Sequence, residues 1–428
     1  MTPAVITLLV LAVIALLFVT EAIPLALTAM SGAIVLGILG IIPMTTVFSG
    51  LSNPTVVLFA GMFVIGASMF HTGLAQKLGE MVVRKVGTSE VGLMFGTMFI
   101  AAALSAVCSN TGTTAALMPV ILGICFISKA PASRQMMPLA FAAGLGGIIT
   151  LVGTPPNIIA SGVLKTAGFK PFGFFEFAWI GIPLTIVGIL YMLFIGRHLL
   201  PKAELSTDAK IDEDAAAEAT ATSNDPKKQG ITAAILIGVV IVMGLDLKSF
   251  PLEVAAVTGA ILCILTGCLT EKEAYSGIDW VTIFLFAGMM PIATAMDKSG
   301  AGKLIADVVI GILGANPSPM FITAILFALT VGLTQFMSNT ASTALLAPIG
   351  LSIAIGIGAS PQAVLIAIAV AASCAFTTPV GTPPNTLVLG PGNYRFMDYV
   401  KVGSGLVGVC AIVSVIIIPI VWPFFPGK

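Results

Sequence analysis

The sequence predicts an all-α polytopic membrane protein made of two inverted-topology repeats, an architecture typical of secondary transporters. Three observations predict this fold class. Of the 428 residues, 57% are hydrophobic and only 9% are charged, with a mean hydropathy of +1.09. Soluble domains carry about 25% charged residues, so a soluble fold is excluded. Motifs of the first half recur in the second, and both halves interrupt long apolar stretches with clusters of polar residues.

The composition also excludes several classes of function. The formal net charge is zero, so no basic tract indicates a nucleic-acid partner, and two histidines are too few for a His-rich metal centre. An intramembrane enzyme would need a nucleophile and base or a metal set, and no such arrangement occurs at the depth of the spans. A passive membrane scaffold would not need polar turns in both halves. Transport is the favoured class, and an intramembrane enzyme, a receptor or a scaffold is an alternative that no motif supports.

Spans of about 20 apolar residues cross the hydrocarbon layer. On this criterion the predicted spans lie near residues 3–20, 22–42, 54–72, 135–165, 176–199, 230–246, 251–268, 280–297, 361–391 and 402–424. Two further apolar stretches, 90–128 and 316–356, are broken at their centres by polar residues. We predict that each is a re-entrant hairpin, because irregular backbone at membrane depth must be shielded from lipid. The shorter, more charged stretches Gln76–Lys85 and Lys298–Ile312 are expected to be interfacial helices.

A polar segment, residues 201–229, divides the chain into a first repeat (1–200) and a second repeat (230–428). The motif "FAGM" at 59–62 recurs at 286–289, and "VGTPPN" at 152–157 recurs at 380–385. The spacing between the Ser-Asn-Thr clusters at 109–111 and 338–340 is nearly the same as the spacing between the two copies of each of these motifs. An offset this stable across each half indicates an internal duplication.

The predicted topology follows from the number of spans and the positions of the basic residues. Each half contains five spans, an odd number, so the second copy is expected to lie upside down relative to the first. Thirteen of the 19 Lys and Arg residues fall on the side of the linker. The positive-inside rule therefore places the linker in the cytoplasm and both termini outside the plasma (inner) membrane. The first hairpin then enters from the cytoplasm and the second from outside.

Each hairpin tip is predicted to bind ions. With the first helix ending at Ser109 and the next starting near Thr113, the tip presents free carbonyls on one flank and free N–H groups on the other. Ser105 and Ser109 lie on one helical face, and Asn110 can offer its carbonyl oxygen to a cation or its amide to an anion. The second copy repeats this arrangement with Thr334, Ser338 and Asn339.

The two "GTPPN" motifs predict complementary breaks in two further helices, because paired prolines remove backbone donors. The carbonyls of Gly153 and Gly381 could complete cation sites, while Thr154 and Thr382 could face an anion. Asn157 and Asn385 are expected to cap the helices that resume. The alternative is that the prolines only kink these helices. Because no Arg or Lys lies in any of the four breaks, anion affinity would depend on neighbouring cations, which would couple the two.

The paired Ser-Asn-Thr tips and Gly-Thr-Pro-Pro-Asn breaks resemble the divalent anion–sodium symporter family of dicarboxylate, citrate and sulfate transporters. The resemblance covers nearly the whole chain and implies a homodimer with an elevator-type transport domain. It implies one Na⁺ site at Ser105, Ser109, Asn110 and Gly153 and another at Thr334, Met337, Asn339 and Gly381. It also implies substrate contacts at Asn110, Thr111, Thr154, Pro155, Asn339, Thr340, Thr382 and Pro383.

The expected function is Na⁺-coupled symport of a small divalent anion, with a C4-dicarboxylate such as succinate, malate or fumarate as the expected substrate. Sodium-independent anion exchange and sulfate or citrate transport remain alternatives. A cation/proton antiporter is a further alternative, but such proteins usually need a titratable carboxylate in the core. Neither hairpin tip and neither break contains Asp or Glu, which weighs against it.

Overall fold

The computed structural model describes residues 2–86, 89–128, 130–201, 225–247, 249–313 and 318–426, and all regular elements in these ranges are helical. The helices of the first half are α1 (Pro3–Thr20), α2 (Leu25–Ile38), α3 (Met44–Val47), α4 (Pro54–His71), α5 (Leu74–Val86), α6 (Glu90–Ser105), α7 (Asn110–Ser128), α8 (Met136–Gly147), α9 (Pro155–Thr166), α10 (Ala178–Tyr191) and α11 (Arg197–Leu199). Two 3₁₀ turns, Ser49–Ser52 and Ala132–Arg134, and a π-helical turn, Met192–Gly196, connect some of them.

The second half repeats this order of elements. Its helices are α12 (Pro226–Gly244), α13 (Leu252–Leu265), α14 (Glu271–Ser276), α15 (Trp280–Ser299), α16 (Ala301–Leu313), α17 (Pro319–Thr334), α18 (Asn339–Gly356), α19 (Pro361–Ser373), α20 (Pro383–Leu389) and α21 (Phe396–Val421). Eight membrane-spanning candidates, by length and composition, occur among the described helices. The chain is therefore an integral membrane protein.

The helix boundaries agree with the predicted spans except where polar motifs intervene. The stretches 135–165 and 361–391 are each two helices, because the "GTPPN" motif ends one helix and starts the next. Helix α12 begins at Pro226, within the last residues of the predicted linker. Most of the linker, residues 202–224, lies outside the described residues. The inverted orientation of the halves stays a prediction.

The helices pack as two bundles. In the first, which we call the frame bundle, α2 packs along α15, α4 along α13, and α1 and α12 complete the contacts. In the second, the hairpin bundle, the hairpins α6–α7 and α17–α18 enclose α8, α9, α19 and α20, with α10 and α21 on the outside. Helices α5 and α16 contact both bundles. Each half contributes helices to each bundle.

Small residues allow the helices of the hairpin bundle to approach closely, as is typical of membrane proteins. Every residue of α8 is buried. A Cβ atom on Gly146 would lie 2.3 Å from the carbonyl oxygen of Ala102 on α6. The backbone of α8 is therefore held directly against the first hairpin, which positions the break that follows α8.

Tyr394 links the two halves inside the hairpin bundle. Its hydroxyl accepts a hydrogen bond from the Met137 backbone N–H at 2.8 Å and donates one to the Ser133 carbonyl.

Tyr394→Phe leaves a buried N–H group without its partner, which costs about 1–3 kcal/mol. We expect its apparent melting temperature in detergent to fall by several degrees. The control Tyr275→Phe, at an exposed position of α14, should not change it; equal shifts would contradict this role.

Candidate functional site

The first hairpin tip is a short turn capped by its own side chains. Helix α6 ends at Ser105 and α7 begins at Asn110, so the predicted boundaries at Ser109 and Thr113 are each three or four residues too late. The Ser109 hydroxyl instead accepts a hydrogen bond from the Gly112 N–H at 3.1 Å, as an N-cap does. The exposed end of α7 therefore points its first N–H groups at the turn.

The second tip repeats these hydrogen bonds. The Ser338 hydroxyl accepts from the Ala341 N–H at 3.2 Å, and the Thr343 hydroxyl donates to the Asn339 carbonyl at 2.8 Å. In the first tip the Thr114 hydroxyl donates to the Asn110 carbonyl at 2.9 Å in the same way. The repeated sequence thus produces repeated local geometry.

The two "GTPPN" breaks also share one geometry. Thr154 and Thr382 are extended, with φ, ψ of −143°, 143° and −144°, 145°, and each precedes a helix that starts with two prolines. The expectation that Asn157 and Asn385 cap these helices is wrong. Their amides donate backward to the carbonyls of Thr150 and Thr378, at 2.8 and 2.9 Å, and so stabilise the turn before the break.

Each break is tied to the hairpin of its own half by a threonine. The Thr150 hydroxyl donates a hydrogen bond to the carbonyl of Ala106, which follows α6. The Thr378 hydroxyl donates one at 2.8 Å to the carbonyl of Gln335, which follows α17. Because Ala106 and Gln335 occupy the same place after their helices, the two tip–break pairs are built alike. The irregular backbone is therefore fixed in position by side-chain hydrogen bonds.

All four interruptions line one cavity of about 100 Å³. Helices α7, α9, α18 and α20 all begin at its wall, and each helix N-terminus carries a partial charge of roughly +0.5. Seven of the eight substrate residues implied by the resemblance lie on this wall: Asn110, Thr111, Pro155, Asn339, Thr340, Thr382 and Pro383. None of the lining residues is Lys or Arg. The cavity is thus electropositive through its backbone.

Thr154, the eighth expected substrate residue, is fully buried just behind the wall. Its hydroxyl has no hydrogen-bond partner in the described part of the chain. A buried polar atom left unpaired costs about 1–3 kcal/mol. The orphaned hydroxyl at the start of α9 is consistent with a site for a polar ligand.

The first expected Na⁺ site is a cluster of oxygen atoms around the Asn110 side chain. With the amide oriented to donate, its nitrogen lies 2.6 Å from the Ser105 hydroxyl and 3.2 Å from the carbonyl oxygens of Gly153 and Ala143. With the opposite orientation, four oxygens converge there. Neutral oxygens at unwound helix ends are the ligands that Na⁺ takes in transporters, so these residues fit the ion. Ser109 lies on the cavity wall nearby.

The second expected Na⁺ site has the same backbone frame but a different side-chain arrangement. A Cβ atom on Gly381 would lie 3.0 Å from the Thr334 carbonyl oxygen, just as one on Gly153 would lie 2.8 Å from that of Ser105. The Asn339 side-chain oxygen, however, accepts from the Thr340 N–H at 2.8 Å. Met337 is buried, so only its carbonyl could serve. The backbone of Gly381 therefore lies against the end of α17, whereas the Asn339 side-chain oxygen is turned toward its own helix.

Several wall residues escaped the sequence analysis because they come from the frame bundle. Phe59, Met62 and Phe63 of α4 face the tips, and Asp279 and Thr282 come from the start of α15. The tips and breaks hold no carboxylate, but the Asp279 carboxylate lies on the cavity wall, where an antiporter would need one. The Ala143 carbonyl could not be predicted either, because the residue type does not indicate which backbone carbonyl will face an ion.

A larger cavity of about 500 Å³ adjoins the first and shares Met62, Phe63, Ser109 and Thr111 with it. It extends along the end of α4 to His71, on the face that the distribution of basic residues predicts to be cytoplasmic. The His71 Nδ1 atom lies 3.8 Å from Glu273 Oε1 beside this cavity. A solute could therefore reach the four breaks from this face.

The fold and the site define a membrane transporter rather than an enzyme. The chain matches the model of the CitMHS citrate transporter family over residues 15–363 and belongs to that family. It is 31% identical to an uncharacterized transporter of Haemophilus influenzae, covering 94% of this chain and 88% of that protein. It is 26% identical to the sodium-dependent dicarboxylate transporter SdcS of Staphylococcus aureus, covering 96% and 84%.

Solved transporter structures share the fold. MtrF of Neisseria gonorrhoeae, described as illuminating a class of antimetabolite efflux pumps, matches with a TM-score of 0.64 at 13% identity, covering 100% of this chain and 97% of that chain. The YdaH transporter of Alcanivorax borkumensis matches with a TM-score of 0.61 at 16% identity, covering 98% of each. At these identities the likeness concerns the fold alone.

Proposed function

We propose that this protein is a secondary active transporter that couples Na⁺ to the symport of a small divalent anion, with a C4-dicarboxylate as the preferred substrate. One observation carries the proposal: four helix N-termini line a single cavity, and none of its described lining residues is basic. The dipoles of these helices favour an anion at the place where their N-termini meet. The sodium-dependent dicarboxylate transport named for SdcS agrees with this assignment.

The proposed coupling rests on residues that serve both ligands. Asn110 and Asn339 both line the cavity, and the Asn110 side chain also lies in the first oxygen cluster. A cation held by Ser105, Asn110 and the Gly153 carbonyl would turn the Asn110 oxygen toward itself and the amide N–H₂ toward the anion. Bound Na⁺ also supplies the positive charge that the side chains lack. Each ligand thereby raises the affinity for the other by the same factor.

The two-bundle architecture supports the alternating-access part of the proposal. The tips and breaks lie together in the hairpin bundle, while α4 and α15 of the frame bundle form the opposite wall. Movement of the hairpin bundle along the frame bundle, as in an elevator, would carry the site across the membrane. We further propose a homodimer in the plasma membrane, with residues 201–229 cytoplasmic and both termini outside.

The alternatives differ in their coupling and their cargo. Sodium-independent exchange would use the same anion cavity without the oxygen clusters, and sulfate or citrate would test the size and charge of the cavity. A cation/proton antiporter has one observation in its favour, the Asp279 carboxylate on the wall. Each alternative predicts a different pattern of ion dependence, so one assay separates them.

The experiment is uptake of radiolabelled succinate into proteoliposomes. An inward Na⁺ gradient should drive accumulation, and equimolar K⁺ or choline should reduce it to the level of empty liposomes. Parallel samples in which sulfate or citrate replaces succinate as the transported anion identify the cargo. Uptake that persists without Na⁺ would indicate exchange. Alkalinisation or acidification of the lumen by Na⁺ alone, without any anion, would indicate an antiporter and contradict the proposal.

A further inference from the structure

Among the described residues that line the central cavity, Asp279 is the only Asp, Glu, Lys or Arg. It belongs to the frame bundle, where it precedes α15, and it faces the tips and breaks of the hairpin bundle across the cavity. Asp279 is exposed. It belongs to none of the ion pairs in the described part of the chain. A fixed negative charge at this place is unexpected in a site whose backbone favours anions.

The Asp279 carboxylate is held in place at the helix end. One oxygen accepts from the Thr282 N–H at 3.1 Å, and the other accepts from the Thr282 hydroxyl. Capping alone would not require the charge, because asparagine caps helices as well as aspartate does. The related helix of the first half, α4, is in fact capped by Asn53, whose oxygen accepts from the Thr55 N–H at 2.8 Å. The charge is therefore separable from the cap.

We infer that Asp279 is a specificity-determining residue that disfavours anions in proportion to their negative charge. This inference rests on the proposed function, since it needs an anion in the central cavity. At a separation of about 7 Å in a water-like dielectric, the carboxylate lowers the affinity for a dianion about sevenfold. The same relation gives roughly threefold for a monoanion and twentyfold for a trianion. Asp279 would thus select against trianions and keep dianion affinity low enough for release.

The test measures the binding of three anions to the purified full-length protein in Na⁺. The probes are monomethyl succinate, succinate and citrate, which carry one, two and three charges at alkaline pH, and the readout is ligand-dependent thermal stabilisation. Asp279→Asn should tighten binding by about three-, seven- and twentyfold respectively. Asp279→Glu, which keeps the charge, should stay near the wild-type values. Added salt should shrink the differences, because it screens the charge.

The matched control is Asp225→Asn. Asp225 caps α12 through the Lys227 N–H at 2.9 Å, as Asp279 caps α15, but it does not line the cavity. This variant should change neither stability nor anion affinity beyond the wild-type error.

The outcomes separate the two claims. If none of the three anions stabilises the wild-type protein, the proposed function is wrong. If they do, but Asp279→Asn changes all affinities equally or not at all, the charge-selection role is overturned. A variant with weakened Na⁺ affinity and unchanged anion affinity would also overturn it, because the residue would then act on the cation.

Discussion

Asn110→Ala and Asn339→Ala are each expected to lower Na⁺-driven anion uptake by roughly 10- to 100-fold. Each asparagine lies on the wall of the cavity, and Asn110 also lies in the first oxygen cluster, so removal of either side chain takes a hydrogen-bonding or coordinating group from the site. A hydrogen bond to a charged group contributes about 1.5–3 kcal/mol, which corresponds to this range. Initial rates of succinate uptake into proteoliposomes, measured across Na⁺ concentrations, provide the comparison.

The two variants should also differ from each other. The Asn110 amide bridges Ser105, Gly153 and Ala143, whereas the Asn339 oxygen is bonded to the Thr340 N–H. We therefore expect the larger loss of apparent Na⁺ affinity in Asn110→Ala. The control is Asn53→Ala, which removes a helix cap worth about 1 kcal/mol away from the cavity. If a cavity variant takes up the anion at the wild-type rate, normalised to folded protein, the residue changed in it is not part of the site.

Gly153→Ala should abolish uptake and lower stability, because no space exists for a side chain at the first break. A Cβ atom there would lie 2.5 Å from the Gly147 carbonyl oxygen and 2.8 Å from that of Ser105. Both are backbone atoms that cannot rotate away, so the break must shift. Overpacking of this kind costs about 1–3 kcal/mol and moves the carbonyls that form the oxygen cluster.

The other glycines provide a graded comparison. Gly381→Ala should be less severe, since its nearest contacts, at 2.9 and 3.0 Å, are the Ala375 Cβ atom and the Thr334 carbonyl oxygen. Gly123→Ala lies in α7 with no atom within 4 Å and is expected to be neutral or slightly stabilising, as alanine favours helix. Apparent melting temperatures and uptake rates should rank the variants in this order. A fully active Gly153→Ala protein would show that the break is not part of the site.

Much of the fold could be predicted from hydropathy and internal repetition alone. Apolar length located the helices, and the two "GTPPN" motifs located the breaks within 135–165 and 361–391. Helix ends at the tips were less predictable. Ser109 and Ser338 cap the second helix of each hairpin instead of continuing the first, because a serine side chain competes with the backbone for its N–H groups.

The candidate site could be predicted only in part, for a physical reason. Residues within one motif, such as Asn110 and Thr111, carry their polar character in the sequence. The residues of the opposite wall depend on how the two bundles pack against each other, which a local sequence pattern does not predict. Phe63 and Asp279 were therefore not predicted as site residues. A backbone ligand such as the Ala143 carbonyl is visible only in three dimensions. Likewise, Asn157 and Asn385 were assigned as caps although they bind the preceding turn.

The central claim is that four helix N-termini form one binding site for a small anion. The most direct measurement is an experimental structure of the protein in Na⁺ with bromosuccinate, whose bromine is located by anomalous scattering. The claim predicts one bromine peak per chain between Asn110, Thr340 and Pro383, lost when Na⁺ is replaced by choline. A peak elsewhere in the chain, with the central cavity empty at saturating bromosuccinate and Na⁺, would contradict it.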